Sequence, residues 1–325
     1  MKKIKMILMT AAMAFQAVMT SCDYKDLDEG GYSDMHTFTI DFDWTKTDSI
    51  PEAMRVVFYP ADEQAKNNMT KGYTIFDLPQ SFWPAEVQLP AGIYDVTAWN
   101  NDTEHVITDK YGKQQSVNAT TPTYNARGTF DTPSVLDSLY DGQRVLDYPD
   151  YMVHANKVDL DVSHKDDNRL MLTPDSMVVT IDYYVRGIGG LSWVKQIRGA
   201  VNNVAGKRYM AYDNLTEKAV AVMFDCQYSA EDSLVYGRFY VYGIEPTESI
   251  QALAHKMTLF FWMEGGKVFL PIDVTGIFAR IRKDQKKMLI DIPPLDIDLR
   301  DYISSENTFD VNLDEWENIN IDIGF

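Results

Sequence analysis

Apolar residues return at every second position through most of this chain, and that beat leaves few folds open. Phe38, Ile40, Phe42 and Trp44 alternate with Thr37, Thr39, Asp41 and Asp43. Met177, Val179, Ile181, Tyr183 and Val185 alternate with Val178, Thr180, Asp182, Tyr184 and Arg186. The spacing recurs in Leu295, Ile297 and Leu299, and again in Ile319, Ile321 and Ile323. Successive side chains of a strand point to opposite faces, so such segments bury one face and wet the other. That is the pattern of antiparallel strands covered on one side. Met257 to Met263 is nearly all apolar and predicts a central strand covered on both faces. Turn residues agree. Pro90-Ala91-Gly92 separates two strand-like runs as a hairpin would, and Glu264-Gly265-Gly266-Lys267 joins Phe261-Trp262 to Val268-Phe269-Leu270. Helical patterning is confined to 275–287 and, more faintly, 133–146. The expected class is all-β, with two antiparallel β-sandwich domains in tandem.

The N-terminus reads as an address. Lys2, Lys3 and Lys5 precede an apolar stretch from Ile7 to Val18, too short to span a bilayer, that ends in Met19-Thr20-Ser21-Cys22. Small residues followed by cysteine resemble a lipobox, with Met19 where leucine is commoner. Cys22 is therefore expected to carry acyl chains, each buried methylene contributing about 0.8 kcal/mol to membrane attachment. Residues 1–21 are read as a lipoprotein signal peptide and 22–34 as a lipidated acidic tether. A polar run, His164-Lys165-Asp166-Asp167-Asn168-Arg169, then divides the body into domains at 35–166 and 167–325. Removing residues 1–21, with three lysines and no acid, takes the net charge from −18 to −21. Such a chain repels nucleic acid and anionic lipid. Cys226 is left as the one unacylated thiol, so no intramolecular disulfide forms and stability falls to the core.

The residues offer little chemistry. His36, His105, His154, His164 and His255 lack ligand spacing, and no paired cysteine motif exists. Gly190-Leu191-Ser192-Trp193-Val194 lacks the second glycine of a nucleophile elbow, and Gly187-Ile188-Gly189-Gly190 fits a bulge or turn better than a phosphate loop. Asp41/Asp43, Asp159/Asp161 and Asp296/Asp298 each lie two apart, on one outward strand face, not across a cleft. A calcium loop at Asp159-x-Asp161-x-Ser163 lacks the glycine of an EF-hand. Arg280, Arg282, Lys283, Lys286 and Lys287 read as a solvated helix end. Phe82, Trp83 and Trp99 admit two readings, a sugar-stacking platform or core anchors. No catalytic residue, metal or cofactor is expected.

Three segments carry a resemblance. They are the opening strand 36–44, the run Ala53-Met54-Arg55-Val56-Val57-Phe58-Tyr59-Pro60, and Leu89-Pro90-Ala91-Gly92-Ile93-Tyr94-Asp95-Val96 followed by Trp99-Asn100-Asn101-Asp102-Thr103-Glu104. With the lipobox they resemble FimB-like fimbrial anchor or accessory lipoproteins of Bacteroidota, a group that includes domains of unknown function. The second half matches more loosely, through Phe269-Leu270-Pro271-Ile272-Asp273-Val274-Thr275. The resemblance implies transthyretin-like sandwiches on an outer-membrane lipid anchor, exposed at the cell surface, with fimbrial subunits as partners and strand addition as a mode of assembly. It also implies O-glycosylation at Ser49, Ser138, Ser176 and Ser233, each in an Asp-Ser-apolar triplet. The competing expectation is a surface glycan-binding lipoprotein of a polysaccharide-uptake system.

Overall fold

The structure, a computed structural model, describes residues 35–69, 71–124, 139–140, 142–162, 169–212, 214–217, 219–244, 254–264, 266–280, 285–303 and 316–318. The signal peptide, the tether with Cys22, Ser138, His164, half of 133–146 and the Ile319–Ile323 alternation lie outside the described residues.

Strands dominate. The first are β1 (Met35–Phe42), β2 (Ala53–Pro60), β3 (Thr74–Pro79), β4 (Ala85–Pro90), β5 (Gly92–Asn100), β6 (Ile107–Asp109), β7 (Asn118–Thr120), β8 (Val145–Asp147) and β9 (Val153–Val162). There follow β10 (Arg169–Leu172), β11 (Asp175–Ser176), β12 (Val179–Arg186), β13 (Ile188–Gly189), β14 (Val194–Val204), β15 (Lys207–Tyr209), β16 (Leu215–Thr216), β17 (Val220–Asp225) and β18 (Gln227–Ser229). The last are β19 (Leu234–Val241), β20 (Lys256–Met263), β21 (Gly266–Asp273), β22 (Lys287–Ile292), β23 (Ile297–Asp298) and β24 (Trp316–Asn318). Short helices interrupt them, among the described residues α1 (Glu63–Asn68) and α2 (Thr275–Phe278).

The alternation in the sequence becomes alternation of burial. Phe38, Ile40 and Phe42 are buried on β1, and β22 alternates exposed and buried along its six residues. Sheets β10-β1-β4 and β11-β9-β5-β2-β3 enclose one core, around Phe38, Val56, Phe58, Tyr94 and Leu170. Sheets β18-β19-β12-β22 and β24-β21-β20-β14-β17-β8 enclose another, around Tyr183, Phe224, Phe239, Leu259 and Leu270. β20 sits inside the larger sheet with every residue but Lys256 buried, as its apolar run predicts. A third cluster joins Val57, Tyr59 and Trp99 to Met177, Val178, Met210 and Tyr242. Arg208, itself buried, donates there to the carbonyls of Met177 (2.6 Å) and Tyr242 (2.8 Å).

Three local expectations are corrected. Pro90-Ala91-Gly92 is a corner and not a hairpin, because β4 pairs with β1 while β5 pairs with β2 and β9 in the other sheet. The corner is held by the Tyr94 hydroxyl, which donates to the Pro90 carbonyl (2.9 Å), and by α1 pressed against Gly92. Among its described residues the 275–287 helix is a single turn, α2, and the chain is extended again from Lys287. Of 133–146, Leu139 is helical and Val145 and Leu146 belong to β8, while 133–138 and 141 lie outside the described residues. Finally, the ladders are not all antiparallel: β10 on β1, β22 on β12, β8 on β17, β24 on β21 and β23 on β13 run parallel. The first four lie at sheet edges, where a segment distant in sequence covers backbone that would otherwise be open. The Gly187–Gly190 run forms the turn expected of it, with positive φ at Gly187 and Gly190.

Candidate functional site

β5 ends at Asn100, and the run that follows it, Asn101 to Glu104, meets two other loop segments. One is the approach to β2, Ser49 to Glu52, and the other is Asp150-Tyr151 ahead of β9. Together they line an open cleft of about 370 Å³ rimmed by Glu52, Asp102, Glu104 and Asp150. Asn100 is buried at its floor and fully engaged. Its amide nitrogen donates to Asp102 Oδ1 (2.8 Å) and the Tyr151 carbonyl (3.1 Å), and its oxygen accepts from the Val153 N–H (2.8 Å). Asp102 Oδ2 accepts from the Glu52 N–H (2.8 Å). Asp150 accepts from the His105 N–H through Oδ2 (2.7 Å) and bonds the His105 ring through Oδ1 (3.0 Å). Both carboxylates therefore tie loop backbone together, each with both oxygens occupied.

The electrostatics follow from these bonds. The hydrogen bond to Asp150 raises the His105 imidazole above its ordinary pKa, aided by the charges of Asp150, Asp147 and Glu104. Burial raises the Asp147 carboxyl, against the pull of His105 and Arg198. Burial likewise raises the Tyr151 phenol, whose oxygen accepts from the Asp48 N–H (3.1 Å). The cleft presents a braced, negative surface of fixed shape to whatever approaches it.

The expected aromatic platform separates into two places. Phe82 is 66% exposed, and Trp83 beside it is half-buried, its indole N–H donating to the Leu78 carbonyl (3.1 Å). Trp83 stacks on Trp44 (5.1 Å between ring centres, 29° between planes) and leans on Phe42 (5.0 Å). Trp99 is elsewhere, 1% exposed in the third cluster and stacked on Tyr111 (5.8 Å). It presents no ring face to solvent and is a core anchor. Trp44 is the residue the sequence pattern concealed, since its place in the β1 alternation makes it look like one more core position.

Of the serines, Ser49 stands on the rim of the acidic cleft and Ser233 at a turn with positive φ. Ser176 is buried and donates to the Val178 carbonyl (2.7 Å), which leaves no room for a sugar there in the folded chain. Asp159 has positive φ, and its N–H donates to Asp95 Oδ1 (3.1 Å). Asp298 pairs with Arg300, whose hydrogen bonds hold its carboxyl down to about 2. Of the basic cluster, Lys286 donates to the Ser176 carbonyl (2.6 Å) and Lys287 pairs with Asp48 (2.7 Å), so both brace the fold, while Arg282 and Lys283 lie outside the described residues. Cys226 is a free thiol pushed up to about 12 by burial, far from a reactive thiolate. Among the described residues, no three of His, Cys, Asp and Glu gather as a metal site.

The fold thus defined is shared with a solved structure. A crystal structure of a candidate adhesin from Bacteroides ovatus superposes with a TM-score of 0.56 at 18% identity, over 88% of this chain and 93% of that one. A second candidate adhesin from that species gives 0.49 at 7% identity, over 79% and 89%. The fimbrial anchor protein Mfa2 of Porphyromonas gingivalis gives 0.46 at 14%, over 79% and 89%. No curated protein matches the sequence. The family described as a domain of unknown function, DUF5119, matches residues 21–225, and the chain belongs to it.

Proposed function

We propose that this chain is a non-enzymatic lipoprotein, held at the outer membrane by acyl chains on Cys22, that anchors or accompanies fimbriae through contacts with their subunits. The observation that carries the reading is the joining of a lipobox, Met19 to Cys22, to an all-β body that shares its fold, over most of its length, with a candidate adhesin. The resemblance of the 36–44, 53–60 and 89–104 segments to fimbrial anchor lipoproteins supports it. So does the cleft, whose carboxylates brace loops and leave no facing acid pair poised over a substrate. In this reading 35–166 and 167–325 act as two tandem sandwiches, with β10 and β11 reaching back across the division to β1 and β9. The third cluster, which takes residues from both, then joins the two. Among the described residues, Ser49 is the exposed sequon serine and Ser233 a partly exposed one.

The test is Cys22→Ala in the native host. It is expected to abolish acyl labelling, release the protein from the outer-membrane fraction and leave fimbriae poorly retained. Unchanged fimbrial attachment and length after deletion of the whole protein would end the fimbrial reading; unchanged membrane retention of the variant would end the lipid one.

A second reading, a surface glycan-binding lipoprotein, is favoured by exposed Phe82 beside the partly exposed Trp83 and its stacking partner Trp44. Exposed aromatic rings suit the apolar face of a sugar. Calorimetry against a polysaccharide panel decides it: no heat with any glycan dismisses it.

A further inference from the structure

The chain that enters β1 and the chain that leaves β10 meet one seam of the first half at its opposite ends. β1 lies inside its sheet, with β4 antiparallel to it from Met35 to Ile40 and β10 parallel to it from Thr39 to Phe42. Its start, Met35, stands opposite Pro90, beside the corner on which α1 presses. Its other end leads to the second half. The Asp43 N–H donates to the Leu172 carbonyl (2.8 Å), and Asp48 pairs with Lys287 of β22 (2.7 Å). Tyr151, whose hydroxyl accepts from the Asp48 N–H, packs on Tyr240 of β19 (5.8 Å between ring centres). β10 runs the same way as β1. From Leu172 its chain continues through β11, which is held on β9, into β12 of the second core.

That arrangement decides how tension passes. A pull on the residues preceding Met35, opposed by a pull on the second half, draws β1 by its N-terminal end and β10 by its C-terminal end. Parallel strands drawn in this way slide lengthwise, and every bond of the ladder between them is strained at once. Strands pulled apart from a shared end open one pair at a time instead. Sliding also disturbs the core. Ile40 and Phe42 on β1 and Leu170 and Leu172 on β10 are buried, and a slip of one residue would turn one set to the wrong face. On the wet face Arg169 pairs with Asp41 across the seam (2.5 Å). Further along, β12 and β19 pair from Val179 opposite Val241 to Arg186 opposite Leu234. Tension applied beyond Leu234 therefore runs along those strands too, and the shorter β1–β10 ladder yields first.

We propose that β1, clasped between β4 and β10, is a tension clamp: force entering at the N-terminus crosses to the second half by shear along β1 and β10. The proposal rests on the reading that acyl chains on Cys22 hold the chain by its N-terminus, and it adds how the body withstands the pull of whatever it retains. The direction of β10 is the telling feature. An antiparallel strand in its place would leave the seam at the Met35 end and be peeled away.

The test pulls single molecules of the mature chain from a handle at the N-terminus. With the second handle at Glu231, in the turn between β18 and β19 at the Arg186–Leu234 end of the second core, the pull runs along β1. With it at Gln64, exposed on α1 beside the corner, the pull leaves from the Met35 end and peels β1. The first geometry is expected to need at least about twofold the unfolding force of the second, since the ladder bonds share the tension only there. Thr39→Cys with Arg169→Cys then places two thiols at directly opposed positions of the seam, within reach of a disulfide. Oxidation is expected to raise the force in the Glu231 geometry and to leave the first event in the Gln64 geometry unchanged, with the reduced form as reference. Equal forces in the two geometries, or no gain on oxidation, overturns the proposal. Neither result touches the lipid anchor, whose own test is Cys22→Ala, so the two readings fail separately.

Discussion

The two halves of the molecule each stack aromatic rings, and they do so to different ends. In the second half Phe224 and Phe239 lie parallel, 3.9 Å between centres and 3° between planes, with Tyr183 at 5.3 Å from Phe224. All three are sealed. In the first half Phe42, Trp44 and Trp83 approach almost as closely, at 5.0–5.2 Å, yet both tryptophans remain half-exposed. The cause lies in what stands opposite. Gly199 is the register partner of Phe224 and Gly237 that of Tyr183, so each ring lies flat over a strand that has no Cβ there. A Cβ on Gly199 would sit 2.1 Å from Phe224 Cε2, and one on Gly237 would sit 2.8 Å from the Tyr183 hydroxyl. Trp44 and Trp83 lie just outside β1 and the turn after β3, with no partner strand above them. One stack is sealed inside the fold and the other stays partly open to solvent.

The largest effect expected on this comparison is at the sealed stack. Phe224→Ala removes a fully buried ring with two aromatic neighbours and should destabilise the chain by about 3–5 kcal/mol, read as a shift of the urea midpoint. Gly199→Ala should cost about 1–3 kcal/mol, because the new methyl drives the Phe224 ring off its partner strand. Trp44→Ala, at the rim, should cost about 1–2 kcal/mol, since half of that ring already faces water. Should Trp44→Ala prove as damaging as Phe224→Ala, the rim stack is core and the contrast fails.

An intermediate effect is expected at the corner between the two sheets of the first half. Gly92 has φ +151°, and a Cβ there would lie 2.6 Å from the Ala65 Cβ. Gly92→Ala should therefore destabilise by about 1–3 kcal/mol through strain and displacement of α1. Ala65→Gly in the same chain removes only the Cβ contact, since the Ala65 N and Cα would still lie 2.8 and 2.9 Å from the new methyl. Little recovery is therefore expected in that double variant, and recovery of most of the stability would show that the backbone approach of α1 does not constrain the corner.

What the sequence could and could not reveal follows from range. The alternation of β1 and the apolar run of β20 are local, and both were legible. The Pro90-Ala91-Gly92 corner was not, because the same three residues suit a hairpin, and only the pairing of β4 with β1 decides between them. The parallel edge strands left no trace either: β10 reaches β1 across some 130 positions, and no short-range pattern records that. Trp99 misled for a related reason. Val96 to Asn100 are all buried, since the outer face of β5 is covered by residues from Met177 to Tyr242, far along the chain. The Asn100–Glu104 run stood out in the sequence, but its cleft exists only where segments near 50 and 150 arrive.

The smallest effect concerns one histidine in each half, with opposite signs. His105 bonds Asp150, with Asp147 and Glu104 near, and its folded pKa lies above the ordinary 6.5. The stabilisation it gives is complete below 6.5 and is lost as pH rises through the folded value. His255 packs against Phe278 (4.5 Å), with its ring nitrogen on the Asn202 carbonyl (3.2 Å), and burial lowers its pKa although Asp273 opposes this. There the unfolded chain takes up the proton first, so stability falls as pH drops below 6.5. His105→Gln should thus flatten the decline of the urea midpoint on the alkaline side of neutrality, and His255→Gln the decline on the acid side. For His105, whose side chain is 45% exposed, the difference should be about 0.5 kcal/mol or less after solvent screening. The comparison rests on slopes and not on absolute midpoints, because either substitution also changes packing. If both variants altered the same limb, the two halves would not differ in how they hold their histidines.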